Sequence, residues 1–150
     1  MMNGALTLGT PDGANIEIRD AVGDDNAYIF GQDTSGVEKL FRDGYRPMKY
    51  YLQNERVKIA VDALDLLPDR NLADDIKRYL LYSGDLPDPY MCLRDFDSYF
   101  NAWERSVRDA SNDSVFAGKS LVNIAHSGYF SSDRAVGEYA EKIWKLEKNN

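Results

Sequence analysis

The first 31 residues constrain the fold most, because they predict a strand, a helix and a second strand in close succession. Leu6–Leu8 favours an extended strand with a glycine on either side. Ala14–Val22 predicts a helix that ends at Gly23, and Ala27–Gly31 predicts a second short buried strand. Three such elements within about 30 residues form a βαβ unit, whose strands are parallel and whose crossover is right-handed.

The turn between the first strand and the helix has two interpretations. Thr10 or Asp12 can cap the helix, and Pro11 suits its first position, where a missing N–H would have no intrahelical partner. The same helix start could instead bind an anion through its free N–H groups. Because Asp12 already supplies a negative charge, we predict capping. The spacing of Gly9 and Gly13 matches neither the dinucleotide-binding nor the P-loop pattern.

Helical periodicity replaces the strand signal after Gly31. Apolar side chains recur every three or four residues, and Gly84 is placed to cap one of these helices. The stretches are Val37–Phe41, Met48–Leu52, Val57–Leu67, Leu72–Leu80, Phe96–Ala110, Val115–Ala125 and Asp133–Leu146. Residues 85–89 predict a rigid loop. The chain therefore predicts two strands and about seven helices, divided into a βαβ unit (1–31), a helical region (32–146) and a polar tail (147–150).

Composition predicts one globular domain over residues 1–150. The chain has 150 residues, is 43% hydrophobic and 29% charged, and carries a net charge of −7, which argues against a nucleic-acid partner. Cys92 is the only cysteine, so an internal disulfide and a multi-cysteine metal site are excluded. The sequence shows neither a targeting segment nor a membrane span. We expect a reducing, cytoplasmic setting and no membrane partner.

Two parallel strands are too few for a complete sheet, because parallel sheets have several strands and are covered on both faces. The predicted strand Leu6–Leu8 therefore has an unpaired edge, and such edges invite association, including self-association. The chain accordingly resembles the end of a larger α/β domain. A free-standing helical interaction module that uses this edge is an alternative.

Several polar groups invite a functional interpretation, yet each is better explained as structural. His126 is next to Ser127, but sequence neighbours do not normally meet as a nucleophile and its base. Three acidic pairs could hold a divalent cation or act as acid and base, but none continues into a calcium-loop pattern. They are Asp24/Asp25, Asp74/Asp75 and Asp95/Asp97. The aromatic face around Trp103 has helical spacing, so we predict core packing for it.

Several segments carry a family resemblance. Residues 2–17 read Met-Asn-Gly-Ala-Leu-Thr-Leu-Gly-Thr-Pro-Asp-Gly-Ala-Asn-Ile-Glu. This stretch resembles the segment that follows the pyridoxal-phosphate lysine in the glycogen (α-glucan and maltodextrin) phosphorylases. Near the other end, Asn123–Arg134 and then Tyr139–Trp144 resemble the C-terminal signature of the same family. Phe116 and Val122 depart from it, since a tryptophan and an arginine are expected there.

The resemblance implies a fold, an activity and a cofactor. The fold would be the C-terminal part of the Rossmann-like, cofactor-binding α/β domain in a two-domain (GT-B type) glycosyltransferase, truncated so that this piece is mostly helical. The parent enzyme would phosphorolyse α-1,4-glucan ends to glucose 1-phosphate in glycogen metabolism, with pyridoxal phosphate on a lysine two positions before Met1. Glucan, phosphate and the N-terminal part of the enzyme would be its partners.

No position of this chain matches a catalytic, cofactor-binding or metal-ligating residue of that family. We therefore expect the isolated chain to be inactive and to bind no pyridoxal phosphate. A second hypothesis is that the chain is the C-terminal end of a nucleotide-sugar glycosyltransferase, because related two-domain transferases share the topology. The quoted segments favour the phosphorylase.

Overall fold

The computed structural model describes residues 1–82, 84 and 86–146. The predicted tail 147–150, and position 85 of the predicted loop 85–89, lie outside these ranges. The two strands are β1 (Leu8–Gly9) and β2 (Tyr28–Ile29). The helices are α1 (Ala14–Val22), α2 (Thr34–Arg42), α3 (Pro47–Gln53), α4 (Glu55–Asp62), α5 (Arg70–Leu81), α6 (Cys92–Ala110), α7 (Asp113–His126) and α8 (Ser132–Glu138).

The described part of the chain is mostly helical, with one small parallel sheet, as predicted. In the sheet, Leu8 lies opposite Tyr28 and Gly9 lies opposite Ile29. Both strands are shorter than predicted. A 3₁₀ turn at Asp24–Asn26 occupies the residues just before β2, so Leu6 has no residue opposite it. The predicted bounds of α1 are confirmed, with Gly23 directly after its last residue.

The predicted cap of α1 is wrong. The helix begins at Ala14, Gly13 stands at the cap position with φ +47°, and no side chain caps it. The polar side chains of the turn bond to each other instead of capping the helix. The Thr10 hydroxyl donates to Asp12 Oδ2 over 3.0 Å. Asn15 Nδ2 also donates to the Thr10 carbonyl over 3.0 Å. Pro11 therefore lies in the turn, before the first helical position.

The other helices follow the predicted periodicity, and they differ from the predicted stretches mainly in where they begin and end. Side-chain caps begin five of them, from Asp33, Asn54, Asp69, Asn112 and Ser131. Gly84 is not the cap of α5, since that helix ends at Leu81 and Tyr82 follows it. The predicted last helix, Asp133–Leu146, is also too long: α8 ends at Glu138, a π-helical turn spans Tyr139–Ile143, and Lys145 has φ +53°.

α6 organises the molecule. It lies against both strands and contacts α3, α4 and α7. The buried aliphatic core lies between α4, α5 and α6 and consists of Val57, Val61, Leu81 and Leu93, with Met48, Tyr50, Tyr51, Leu80 and Phe96 packed against it. Burial of these side chains holds the helical region together.

The predicted aromatic core on α6 is only partly correct. Phe96 packs against the core, but Trp103 is 41% exposed, and Tyr99 and Val107 are exposed to a similar extent. The buried line of α6 passes instead through Leu93, Asp95 and Ala102. The aromatic side chains lie beside these buried residues on the helix surface. Only Phe96, near the start of the aromatic face, therefore reaches the core.

Candidate functional site

Asp88 is the most deeply buried carboxylate in the described residues, with no exposed surface. Its Oδ1 accepts the Cys92 N–H over 2.8 Å, and its Oδ2 accepts the Leu93 N–H over 2.9 Å. The Tyr45 hydroxyl also donates to Oδ2 over 2.7 Å. The carboxylate therefore satisfies two free N–H groups at the start of α6 and ties the loop before α3 to them.

The Asp88 site changes the proton affinity of its neighbours. Burial, and then the hydrogen bond to Asp88, raise the pKa of the Tyr45 hydroxyl well above its ordinary value. Partial burial, followed by the nearby Asp88 charge, raises the pKa of the Cys92 thiol to about 11, although the residue as a whole is exposed. A thiol with a raised pKa is a poor nucleophile at neutral pH. The site therefore stabilises neutral Tyr45 and Cys92 and does not activate either of them.

A second buried carboxylate, Asp95, holds the carboxyl end of β2. Its Oδ2 accepts the Gln32 N–H over 3.3 Å, and its Oδ1 lies 3.0 Å from Arg94 Nη1. The Ser98 hydroxyl accepts the Gly31 N–H over 3.1 Å. Burial raises the pKa of Asp95, and the bonds from Gln32 and Arg94 oppose that rise. Ligands of open α/β sheets bind at such strand ends, but here the polar groups bond to each other.

A third cluster joins β2 to α6 and α7. The Tyr28 hydroxyl donates to Asp109 Oδ2 over 2.8 Å, and Lys119 Nζ lies 3.0 Å from the same oxygen. Lys119 also donates to the Asp25 carbonyl. The hydrogen bond from Lys119 is the main cause of the lowered pKa of Asp109, and burial is the main cause of the pKa of about 12 for Tyr28.

Stability should fall in alkali as Tyr28 loses its proton. An unfolded tyrosine has a pKa of about 10, so between pH 10 and 12 the folded state binds more protons and the free energy of unfolding decreases as pH rises. We expect Tyr28→Phe to destabilise the chain by about 1 kcal/mol at pH 8. This difference should shrink towards pH 12. Urea unfolding of both proteins across this range measures it; a pH-independent difference would contradict the assignment.

Several of the other residues considered from the sequence have structural contacts. His126 Nδ1 lies 2.8 Å from the Val122 carbonyl, and the Ser127 hydroxyl donates to the Ile124 carbonyl, so both satisfy the end of α7. Asp97 accepts from Asn54 Nδ2 over 2.6 Å. Within the described ranges, no group of three or more histidine, cysteine, aspartate or glutamate side chains could hold a metal ion.

Lys58 and Lys77 do not fit a Schiff base. That chemistry needs an amine that can lose its proton. Lys58 donates to Asp62 and Lys77 donates to Asp65, and these hydrogen bonds are the main cause of the raised pKa of each lysine. Lys119 and Lys142 are also paired with carboxylates. The ammonium groups of Lys58 and Lys77 are therefore held in the protonated form.

The fold and its polar clusters together define a mostly helical segment with one small parallel sheet, in which buried side chains hold β2 against α6 and α7. The sequence model described as "Carbohydrate phosphorylase" matches residues 1–146. The chain therefore belongs to the carbohydrate phosphorylase family, as its end segments predicted.

Individual relatives agree with the family match. The chain is 43% identical over 148 residues to a glycogen phosphorylase of Pasteurella multocida, with 97% of the chain covered. It is 43% identical over 150 residues to a glycogen phosphorylase of Bacillus subtilis and 39% identical to a maltodextrin phosphorylase of Streptococcus pneumoniae, with 98% and 97% of the chain covered. It spans 18% of the length of the first two and 20% of the third.

None of the helices in the described ranges combines the length and the apolar character that a membrane crossing needs.

Proposed function

We propose that this chain forms the C-terminal part of the cofactor domain of an α-glucan phosphorylase, a glycosyltransferase of GT-B type. The observation that carries the proposal is the family match over residues 1–146, in a chain that spans about one fifth of its relatives. In such an enzyme, inorganic phosphate attacks the end of an α-1,4-glucan and releases glucose 1-phosphate. The proposed substrates are thus a glucan and phosphate.

Within that enzyme, the chain would act as scaffold. Its buried carboxylates bond to its own backbone, and Lys58 and Lys77 do not fit a Schiff base. We therefore assign pyridoxal phosphate, with the proton transfer that its phosphate supplies, to the rest of the parent enzyme. We propose the division into a βαβ unit (1–31), a helical region (32–146) and a tail (147–150).

A chimera tests this function. We expect that a Bacillus subtilis glycogen phosphorylase in which this chain replaces the matching segment still releases glucose 1-phosphate, within about tenfold of the unmodified rate, because 43% identity preserves the packing. The isolated chain should release none and should retain no pyridoxal phosphate after borohydride treatment. The Bacillus enzyme without the segment is the control.

The chimera could also fail in an informative way. A folded chimera that binds pyridoxal phosphate but cleaves no glucan would contradict the proposed function. It would then favour the alternative of a free-standing interaction module, for which the open edge of β1 is the supporting observation.

A further inference from the structure

A cleft with charged walls lies between α6 and the 3₁₀ turn at Asp24–Asn26. Arg105 and Arg108 form one wall, and because they lie three residues apart on α6, they share a face of that helix. Asp24 and Asp25, from the turn, form the other wall. The cavity has a volume of about 270 Å³. The cleft therefore presents two positive side chains on one side and two negative side chains on the other.

The floor of this cleft is already neutral. Lys119 Nζ lies 3.0 Å from Asp109 Oδ2, and the Tyr28 hydroxyl donates to the same oxygen. Lys119 Nζ is also 5.4 Å from the centre of the Tyr28 ring, and the guanidinium carbon of Arg105 is 5.9 Å from it. The arginine wall thus meets the floor at Tyr28. Because the ion pair cancels one charge of each sign, only the four wall charges remain.

The four wall charges do not pair with each other. Among the residues that the structure describes, neither arginine has a carboxylate oxygen within 4.0 Å, and neither aspartate has a lysine or arginine nitrogen within that distance. The opposing charges therefore face each other across a gap that is too wide for direct contact. Such an arrangement is electrostatically complementary to a molecule that carries one charge of each sign.

We propose that this charged cleft binds a small zwitterion, namely a free α-amino acid. Its walls are Asp24, Asp25, Arg105 and Arg108, and its floor is formed by Tyr28 and Lys119. The carboxylate of the ligand accepts hydrogen bonds from the two guanidinium groups, which match the planar geometry of a carboxylate. The ammonium group of the ligand donates to the two aspartates. The bound molecule connects α6 to the turn that precedes β2.

The size of the cavity limits the ligand. A volume of 270 Å³ equals that of about nine molecules of liquid water. Cavities that enclose drug-sized ligands are usually larger, at about 300 to 1,000 Å³. The charged cleft therefore suits a small amino acid better than a nucleotide or an oligosaccharide.

The charge of the walls excludes simpler ions. Inorganic phosphate would satisfy Arg105 and Arg108 but would lie against Asp24 and Asp25, and like charges in contact are costly. A metal ion would meet the same difficulty at the arginine wall. The inference goes beyond the proposed function and does not rest on it, because it uses the wall charges and not the family match.

Titration of the isotope-labelled chain with L-alanine, followed by NMR, tests the charged cleft. We expect a Kd of about 1 mM, with shifts of the amide signals of Asp24, Asp25 and Arg108. L-Lactate lacks the ammonium group and L-alaninamide lacks the carboxylate, so each should bind at least about tenfold more weakly. Lactate that binds as tightly as alanine would make the cleft a simple anion site and overturn the proposal.

Substitutions in the arginine wall provide a second test. Arg105→Gln and Arg108→Gln should each raise the Kd for L-alanine about tenfold. Within the described ranges, neither side chain makes a hydrogen bond or an ion pair, so both variants should keep the fold. Arg42→Gln is the matched control: it removes an exposed arginine of α2 and should change the Kd less than about twofold. An unchanged Kd in both wall variants would contradict the proposal.

The opposite wall distinguishes a zwitterion from an anion. Asp25→Asn should weaken the binding of L-alanine about tenfold and leave that of L-lactate unchanged, because only alanine carries an ammonium group. The Lys119 contact with the Asp25 carbonyl is kept in this variant, since it involves the backbone. Equal losses for both ligands would indicate that the aspartate wall is only structural and would overturn the assignment.

Thermal unfolding supplies a readout that does not depend on individual signals. At 20 mM L-alanine, a Kd of about 1 mM should raise the melting temperature of the chain by about 4 °C, because the ligand binds only the folded state. L-Lactate at the same concentration should raise it by less than about 1 °C. No effect of alanine would remove the site. These results are independent of whether the Bacillus chimera cleaves glucan, so the two proposals fail separately.

Discussion

Replacing Gly31 by alanine should destabilise the chain by about 3 kcal/mol or more. Gly31 has φ +83°, a backbone conformation that side chains disfavour. Its new Cβ would also lie 2.5 Å from Asp95 Oδ2 and 3.0 Å from Asp95 Cγ. Since Asp95 is 5% exposed and bonded to Gln32 and Arg94, it cannot move away without breaking those contacts. The substitution should therefore separate β2 from α6.

Gly44 supplies a matched control. Its φ is +80°, but a Cβ there would meet no atom within 4 Å. Gly44→Ala should thus cost only the backbone strain, about 1 kcal/mol. Urea unfolding of both variants measures the difference between their free energies of unfolding. Equal losses would mean that the contact with Asp95 contributes nothing beyond strain.

Asp88→Ala should have a comparable or larger effect, about 3 to 5 kcal/mol. The substitution removes the acceptor of the Cys92 and Leu93 N–H groups and of the Tyr45 hydroxyl. The Leu93 N–H is then left buried without a partner, which costs more than the bond itself contributed. Chemical denaturation, with the helical signal followed by circular dichroism, checks the loss.

Two further variants separate the bonds at this site. Tyr45→Phe removes only the hydroxyl and should cost about 1 to 2 kcal/mol. Asp74→Ala removes an exposed carboxylate on α5 and should be close to neutral. If Asp88→Ala were as mild as Asp74→Ala, Asp88 would not hold the start of α6.

Periodicity and turn residues predicted the helical elements because they depend on neighbouring residues. Ala14–Val22, which is followed directly by Gly23, illustrates this local control. The end of α8 was missed because apolar spacing continues through Ile143, although the backbone changes to a π-helical turn. The cap of α1 was missed because Thr10 and Asp12 bond to each other.

The pattern of residues along the sequence could not predict the three polar clusters. Tyr45 and Asp88 are 43 residues apart, and Tyr28 and Asp109 are 81 apart, so their contacts depend on tertiary packing. The sequence predicts only a loop around Asp88, and its position four residues before Cys92 is the only local sign of a role at a helix start. The exposure of Trp103 was equally unpredictable, because helical spacing shows that a face is apolar without showing what covers it.

The anchoring of β2 by α6 has a consequence for synthesis on the ribosome. The bonds that hold Tyr28, Gly31 and Gln32 come from partners 81, 67 and 63 residues later in the chain. The ribosome adds about 5 to 20 residues per second, so those partners are synthesised on the order of several seconds after the two strands. During that interval, the opening βαβ unit is a nascent segment with exposed strand edges, and chaperones that bind extended apolar peptides have the time to engage it.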